Sequence, residues 1–164
     1  MTISRKPRAG NSRGFTLIEV LIAVVVLSVG MLGVAALLIN SLQSSGSAIL
    51  RTRAVTFAED MADRIRANSA AGASYVVDLA GMGANNNCTD TANTVAANCT
   101  SAALAMHDIF LWKTLLAAPQ TGLPNGQASI TRAAAGTISQ YTITVQWSEQ
   151  DGNDYDYVLT FQAI

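Results

Sequence analysis

Glu19 is the residue whose setting is hardest to explain without function. It stands between Ile18 and Val20 at the head of an apolar run, and from Val20 to Ile39 there is no charge at all. A carboxylate carried toward a bilayer costs about 2 to 3 kcal/mol on insertion scales unless it finds a partner. Hydrolysis of the peptide bond between Gly14 and Phe15 would create that partner. The new α-amino group of Phe15 is a cation, and a carboxylate four positions along a helix, or on a neighbouring copy, can neutralise it.

Other chemistry-bearing groups are sparse. Asp151, Asn153, Asp154 and Asp156 offer oxygens at alternating positions, as a calcium loop does. They form only a weak calcium candidate: the distal bidentate glutamate of an EF-hand is missing, and Asp, Asn and Gly are what any tight turn prefers. His107 is the only histidine; with no second histidine or free cysteine to share a metal, it is expected at the surface or half-buried. There is no Ser/His/Asp set on a nucleophile turn, no phosphate-cradling glycine loop and no histidine pair for zinc. The expectation is a chain without catalytic residues, metal or cofactor, on which one reaction is performed from outside.

The segment carrying Glu19 is itself an element with a clear physical role. Its charge-free run matches the roughly 20 apolar residues needed to cross a hydrocarbon core of about 30 Å. Arg5, Lys6, Arg8 and Arg13 precede it with no acid among them, so the positive-inside bias keeps residues 1–14 in the cytoplasm and sends the remainder across. An ordinary secretory signal peptide has a shorter apolar core that ends in a small-residue cleavage site. Val34-Ala35-Ala36 could be forced into that role, but the internal acid and the glycine before the run argue against it.

Gly14-Phe15-Thr16-Leu17-Ile18-Glu19 resembles the prepilin motif of type IV pilins and type II secretion pseudopilins. The resemblance implies that a dedicated peptidase cuts between Gly14 and Phe15, that Phe15 is then N-methylated, and that Glu19 guides subunit docking in a helical fibre. Further along, AEDMADRIRAN at residues 58–68 resembles the PilV class of minor pilins, as does a cysteine followed by a Trp-bearing helix and a Leu-Pro-Asn-Gly turn. That class implies a non-catalytic subunit acting in type IV pilus assembly or initiation, and so in pilus-dependent motility or adhesion. Its implied partners are other minor pilins, the major pilin, the prepilin peptidase/N-methyltransferase and the bacterial inner membrane, which holds the precursor with its C-terminal domain in the periplasm before it enters the fibre. A minor pseudopilin of a type II secretion system shares the same physics, and a membrane-anchored periplasmic binding module is the alternative from another class.

The charge balance argues against a nucleic-acid binder. Four of the ten bases lie in the leader while all eleven acids lie beyond Phe15, leaving six bases against eleven acids in the trimmed chain. Neither clustered Lys and Arg for nucleic acid nor a small-molecule site is expected.

Four further segments complete the division into a leader (1–14), a transmembrane or fibre-core helix (15–39) and an α+β domain (40–164). The helical pattern runs without proline to about Asn68, with Gly30 and Gly33 marking either a bend or close helix packing. Leu50, Ala54, Phe57, Ala58, Met61 and Ile65 form one apolar face, with Arg53, Asp60, Asp63, Arg64 and Arg66 largely off it. Residues 69–100 read as a loop with little apolar surface. It contains Cys88 and Cys99, which in an oxidising compartment predict a disulfide, and two formal glycosylation patterns at Asn87 and Asn98 of low specificity. Ser101 is expected to cap a short helix to about Ala117 that buries Leu104, Ile109, Trp112, Leu115 and Leu116.

The C-terminal third predicts antiparallel strands at about 127–133, 140–149 and 155–163. Putting Tyr141, Ile143, Val145 and Trp147 on the same side as Tyr155, Tyr157, Leu159 and Phe161 demands an odd loop. A turn at Asp151-Gly152-Asn153 satisfies it, with Val145 opposite Leu159 and Trp147 opposite Tyr157. The predicted fold is α+β and type IV pilin-like: a long N-terminal helix packed on a small antiparallel sheet of three to four strands.

Overall fold

In the computed structural model, residues 14–88, 99–135 and 138–163 are described. Leader residues 1–13 lie outside the described residues, and so does 89–98 between the cysteines, including Thr89 and Asn98 of the glycosylation patterns. Helix α1 spans Leu17–Ala67, a short 3-10 helix follows at Ser69–Tyr75, and α2 covers Ser101–Leu116. Strands β1 (Gln127–Ala135), β2 (Ile138–Ser148) and β3 (Asp154–Ala163) form one antiparallel sheet in the order β1-β2-β3. The chain divides into two compact units, Met1–Ser44 and Ser45–Ile164. Gly30 and Gly33 lie within α1, which is helical through both.

The second unit is built on the helix stripe that periodicity identifies. Ala54, Ala58, Met61 and Ile65 are fully buried, Leu50 and Phe57 pack at the margin, and Ala62 joins the buried face. Three alanines on that face keep its side chains short, so neighbouring backbone can approach closely. The sheet answers with Ala128 and Ile130 of β1 and with Tyr141, Ile143, Val145 and Trp147 of β2, all buried. Tyr155, Tyr157, Leu159 and Phe161 of β3 also pack against this core but are only half-buried.

The faces are as the alternation predicts, but the register is two residues different. Trp147 pairs with Tyr155, Val145 with Tyr157 and Ile143 with Leu159. Glu149 N–H donates to the Asn153 carbonyl at 3.0 Å, and Gly152 N–H to the Glu149 carbonyl at 3.1 Å. The turn is therefore Gln150-Asp151-Gly152, one residue earlier than expected. Gly152 takes the left-handed position, with φ at +79°, as a three-residue hairpin with a glycine bulge requires. A shift of two preserves every face because the side-chain period is two, and it stacks Trp147 on Tyr155 with ring centroids 6.1 Å apart.

Helix α2 departs from expectation at its start and on its buried face. Thr100, not Ser101, is the N-cap: it has extended backbone and its hydroxyl accepts from Ala103 N–H, since only the residue before the first helical turn can reach back to it. Leu115 is exposed, and Leu104 only half-buried, whereas His107 is buried rather than superficial. Ile109, Trp112 and Leu116 are buried as predicted, and the Trp112 indole N–H donates to the Phe57 carbonyl at 2.9 Å.

The residues 69–100 are not devoid of core. Tyr75, at the end of the 3-10 helix, is fully buried, and its hydroxyl donates to Asp108 Oδ2 at 2.8 Å. Arg64 Nη1 donates to Asp108 Oδ1 at 3.0 Å, and its Nε donates to Asp60 at 3.0 Å. The Asn68 side chain donates to the Tyr75 hydroxyl at 3.2 Å and to the Ser101 carbonyl at 2.9 Å. One buried carboxylate thus joins α1, the 3-10 helix and α2. Burial alone would lower the Arg64 value, but the bonds to Asp60 and Asp108 hold it above its ordinary one. Tyr75 is pushed up by burial first and then by Asp108.

Replacing Asp108 with Asn removes the charge that satisfies Arg64 and Tyr75. Stability measured by urea unfolding should fall by about 1 to 3 kcal/mol, the cost of disrupting a charge-assisted buried bond. Because the Tyr75 value is raised in the folded state, its contribution is complete below the unfolded tyrosine value of about 10 and is lost as pH rises through the folded value. Alkaline difference absorbance between the parent and Tyr75→Phe should therefore stay near zero above pH of about 10 and appear only when the chain unfolds.

Candidate processing and assembly site

The predicted cleavage bond lies directly before the first turn of α1. Gly14, Phe15 and Thr16 precede the helix, and Phe15 is 82% exposed. Thr16 is the cap: its hydroxyl and its carbonyl both accept from Glu19 N–H, at 3.3 and 3.1 Å. Thr16-Leu17-Ile18-Glu19 is the Ser/Thr-x-x-Glu pattern of a capping box, a signal legible in the sequence that the charge argument alone passes over. Glu19 lies in the helix's first turn, where the exposed N–H groups favour a negative charge.

Glu19 is exposed, and its carboxylate makes no hydrogen bond or ion pair among the described residues. The apolar side chains beyond it are equally without cover. Leu17, Ile18, Leu21, Val24, Val25, Leu32 and Leu38 are all more than half exposed. The first unit therefore presents a helix long and apolar enough to cross a membrane, none of which is buried within the chain.

Cys88 and Cys99 are joined as predicted, with Cα atoms 5.7 Å apart. The bond fixes the end of the 81–88 segment at the head of α2, where the Asn86 side chain also donates to the Ala103 carbonyl at 2.9 Å and Ala84 N–H to the Met106 carbonyl at 3.0 Å. Gly83 is left-handed, with φ at +68°, and a side chain there would run into the Met106 carbonyl.

The calcium candidate is not assembled. Asp151 spends its oxygens on its own hairpin, accepting from Asn153 N–H at 3.0 Å, the Asn153 amide at 2.9 Å and the Tyr155 hydroxyl at 2.8 Å. Those bonds from Asn153 hold its carboxyl below the ordinary range, and the bond to Asp151 pushes Tyr155 up. Asp154 accepts from the Ser148 hydroxyl at 2.7 Å. Among the described residues no group of three or more His, Cys, Asp or Glu is arranged to hold a metal ion.

Sequence reasoning gave no role to Lys113. It is 4% exposed, and its ammonium donates to the carbonyls of Asp78, Leu79 and Gly81. Desolvation lowers its value, with the nearby Asp78 charge opposing. It clasps the segment in which Val77 forms a two-bond bridge with Ile130, at 3.0 and 2.8 Å, on the outer edge of β1.

Comparison with known families matches this arrangement in two adjoining stretches. Residues 10–35 match the prokaryotic N-terminal methylation motif, and residues 36–110 match the family described as type IV pilin Tt1218. The matched residues 36–110 are thus similar to a type IV pilin domain and follow directly on the methylation motif. The match reaches from α1 through the cysteine pair into α2, and the fold of the pilin is the α+β arrangement expected for it. Such a pilin is a structural subunit of a pilus or pseudopilus, and the motif implies other pilins and the prepilin peptidase as its associates. No curated protein and no solved structure matches the chain.

Closing a loop of this size by a disulfide contributes about 3 kcal/mol by constraining the unfolded chain. Cys88→Ser should lower the melting temperature of the pilin by several degrees under oxidising conditions. The same substitution should change nothing when the parent is compared in its reduced form.

Proposed function

We propose that this pilin is a minor pilin of the PilV class, made as a single-pass inner-membrane precursor with its C-terminal domain in the periplasm. The prepilin peptidase cuts between Gly14 and Phe15, and Phe15 is N-methylated. The trimmed subunit then joins other minor pilins and the major pilin in the complex that initiates or tips a type IV pilus. AEDMADRIRAN at 58–68 and the Trp112 helix support the PilV assignment over a type II secretion pseudopilin.

The observation that carries this reading is Glu19, without a partner among the described residues, at the head of an uncovered apolar helix. Apolar helix packing supplies adhesion between subunits without direction, since one greasy surface matches another at many offsets. A single carboxylate that gains by meeting one terminal amine selects a single offset. The capping by Thr16 keeps the first turn helical, so Glu19 stands at a fixed distance from the new terminus.

Two measurements on one variant test it. Intact mass of the mature protein should begin at Phe15 with one added methyl group, in both the parent and Glu19→Ala. The variant should insert in the membrane normally, yet its amount in sheared fibres should fall roughly ten- to a hundredfold, the factor corresponding to about 2 kcal/mol. Normal incorporation of Glu19→Ala would overturn the electrostatic part, and a mature start after Ala35 or Ala36 would overturn the whole.

A further inference from the structure

Strand β3 has β2 on one side and no strand on the other among the described residues. The opposite edge of the sheet is treated differently, because Val77 bridges Ile130 and Lys113 holds that segment in place. Alternation of backbone direction shows which groups the open edge presents. Ile130 turns its N–H and carbonyl toward Val77, so its β2 partner Ile143 turns its own toward β3, where Leu159 answers. The amides of Asp154, Asp156, Val158, Thr160 and Gln162 are therefore the ones that face outward.

Natural proteins blunt such edges with proline, lysine, bulges or very short strands. β3 has none of these along Asp154–Ala163: it contains no proline or lysine and pairs with β2 without interruption from Asp154 to Ala163. Its charge is confined to Asp154 and Asp156, leaving Tyr157–Ala163 uncharged. On the core side the row Tyr155, Tyr157, Leu159 and Phe161 is half-buried. Arg51 lies over Tyr155 at 5.3 Å and Arg66 over Phe161 at 4.6 Å, so guanidinium groups cover the two ends and leave Tyr157 and Leu159 open between them. On the outer side Asp156 makes no ion pair or hydrogen bond among the described residues, and Val158 is 49% exposed.

We propose that β3 is a docking edge for one extended strand of a partner protein, apolar on the side that covers Tyr157 and Leu159 and carrying Lys or Arg on the side that meets Asp154 and Asp156. Backbone bonds to Val158, Thr160 and Gln162 supply affinity, and the two carboxylates set direction by selecting where the cations lie. On the pilin reading above, on which the partner's identity rests, that strand belongs to a neighbouring subunit.

Fluorescence polarisation on the full chain in detergent micelles tests the edge directly. The probes are two labelled peptides as long as β3, one alternating valine with lysine and the other valine with glutamate. The lysine peptide should bind saturably and at least roughly tenfold more tightly than the glutamate peptide. Val158→Pro removes one outward N–H without touching the β2 ladder, a substitution edge strands tolerate, and should abolish binding. Asp154→Asn with Asp156→Asn should weaken it severalfold and flatten its salt dependence. Should the proline variant melt early, hydrogen exchange on the unaltered chain replaces it, with the Val158 and Thr160 amides becoming protected when the lysine peptide is added. No binding, equal binding of both peptides, binding to a well-folded proline variant, or unprotected Val158 and Thr160 amides would overturn the proposal. None of these outcomes bears on Phe15 or Glu19, so the assembly reading stands or falls separately.

Discussion

A buried carboxylate holds the pilin unit together at the point where three elements meet. Asp108 accepts from Arg64 of α1 and from Tyr75 of the 3-10 helix while standing on α2. An isolated buried charge is expensive, and removing one of its partners costs more than the pair contributes. The arrangement is thus satisfied only when all three elements are in place. Apolar packing of Ala54, Ala58, Met61 and Ile65 brings α1 to the sheet with little directional preference. The Asp108 network supplies direction, as it accepts α2 at one rotation and one height.

The two units use similar residues under opposite conditions. In the second unit the apolar stripe of α1 is narrow and covered; in the first, apolar side chains occur all round the helix and none is covered. A helix apolar on every side is stable only inside lipid or inside other protein. Within such surroundings Glu19 is the single group with a strong preference for what lies beside it. Asp108 is thus satisfied within the chain, whereas the Glu19 carboxylate has no partner among the described residues.

What the sequence made legible follows from periodicity and from local chemistry. The α1 stripe, the strand faces, the disulfide and the processing motif all repeat or cluster within a few residues, and each was found where expected. The hairpin register was missed by two because Asp151-Gly152-Asn153 and Gln150-Asp151-Gly152 serve equally well by composition; the choice rests on which residue takes the left-handed position. Tyr75, Asp108 and Lys113 were missed for a different reason. Each is polar or sits in a stretch that reads as loop, and each is buried only because a partner distant in sequence satisfies it. The Thr16 cap was present in the sequence as Thr-x-x-Glu and was overshadowed by the charge on Glu19.

The Lys113 clasp works through carbonyl oxygens, which every residue type carries. The ammonium holds Asp78, Leu79 and Gly81 by main chain alone, and the side chains of Val76, Leu79 and Met82 project to solvent. Substitutions at those exposed positions leave the clasp intact. This stretch can therefore change its surface chemistry without loosening the main-chain hold that ties it to α2.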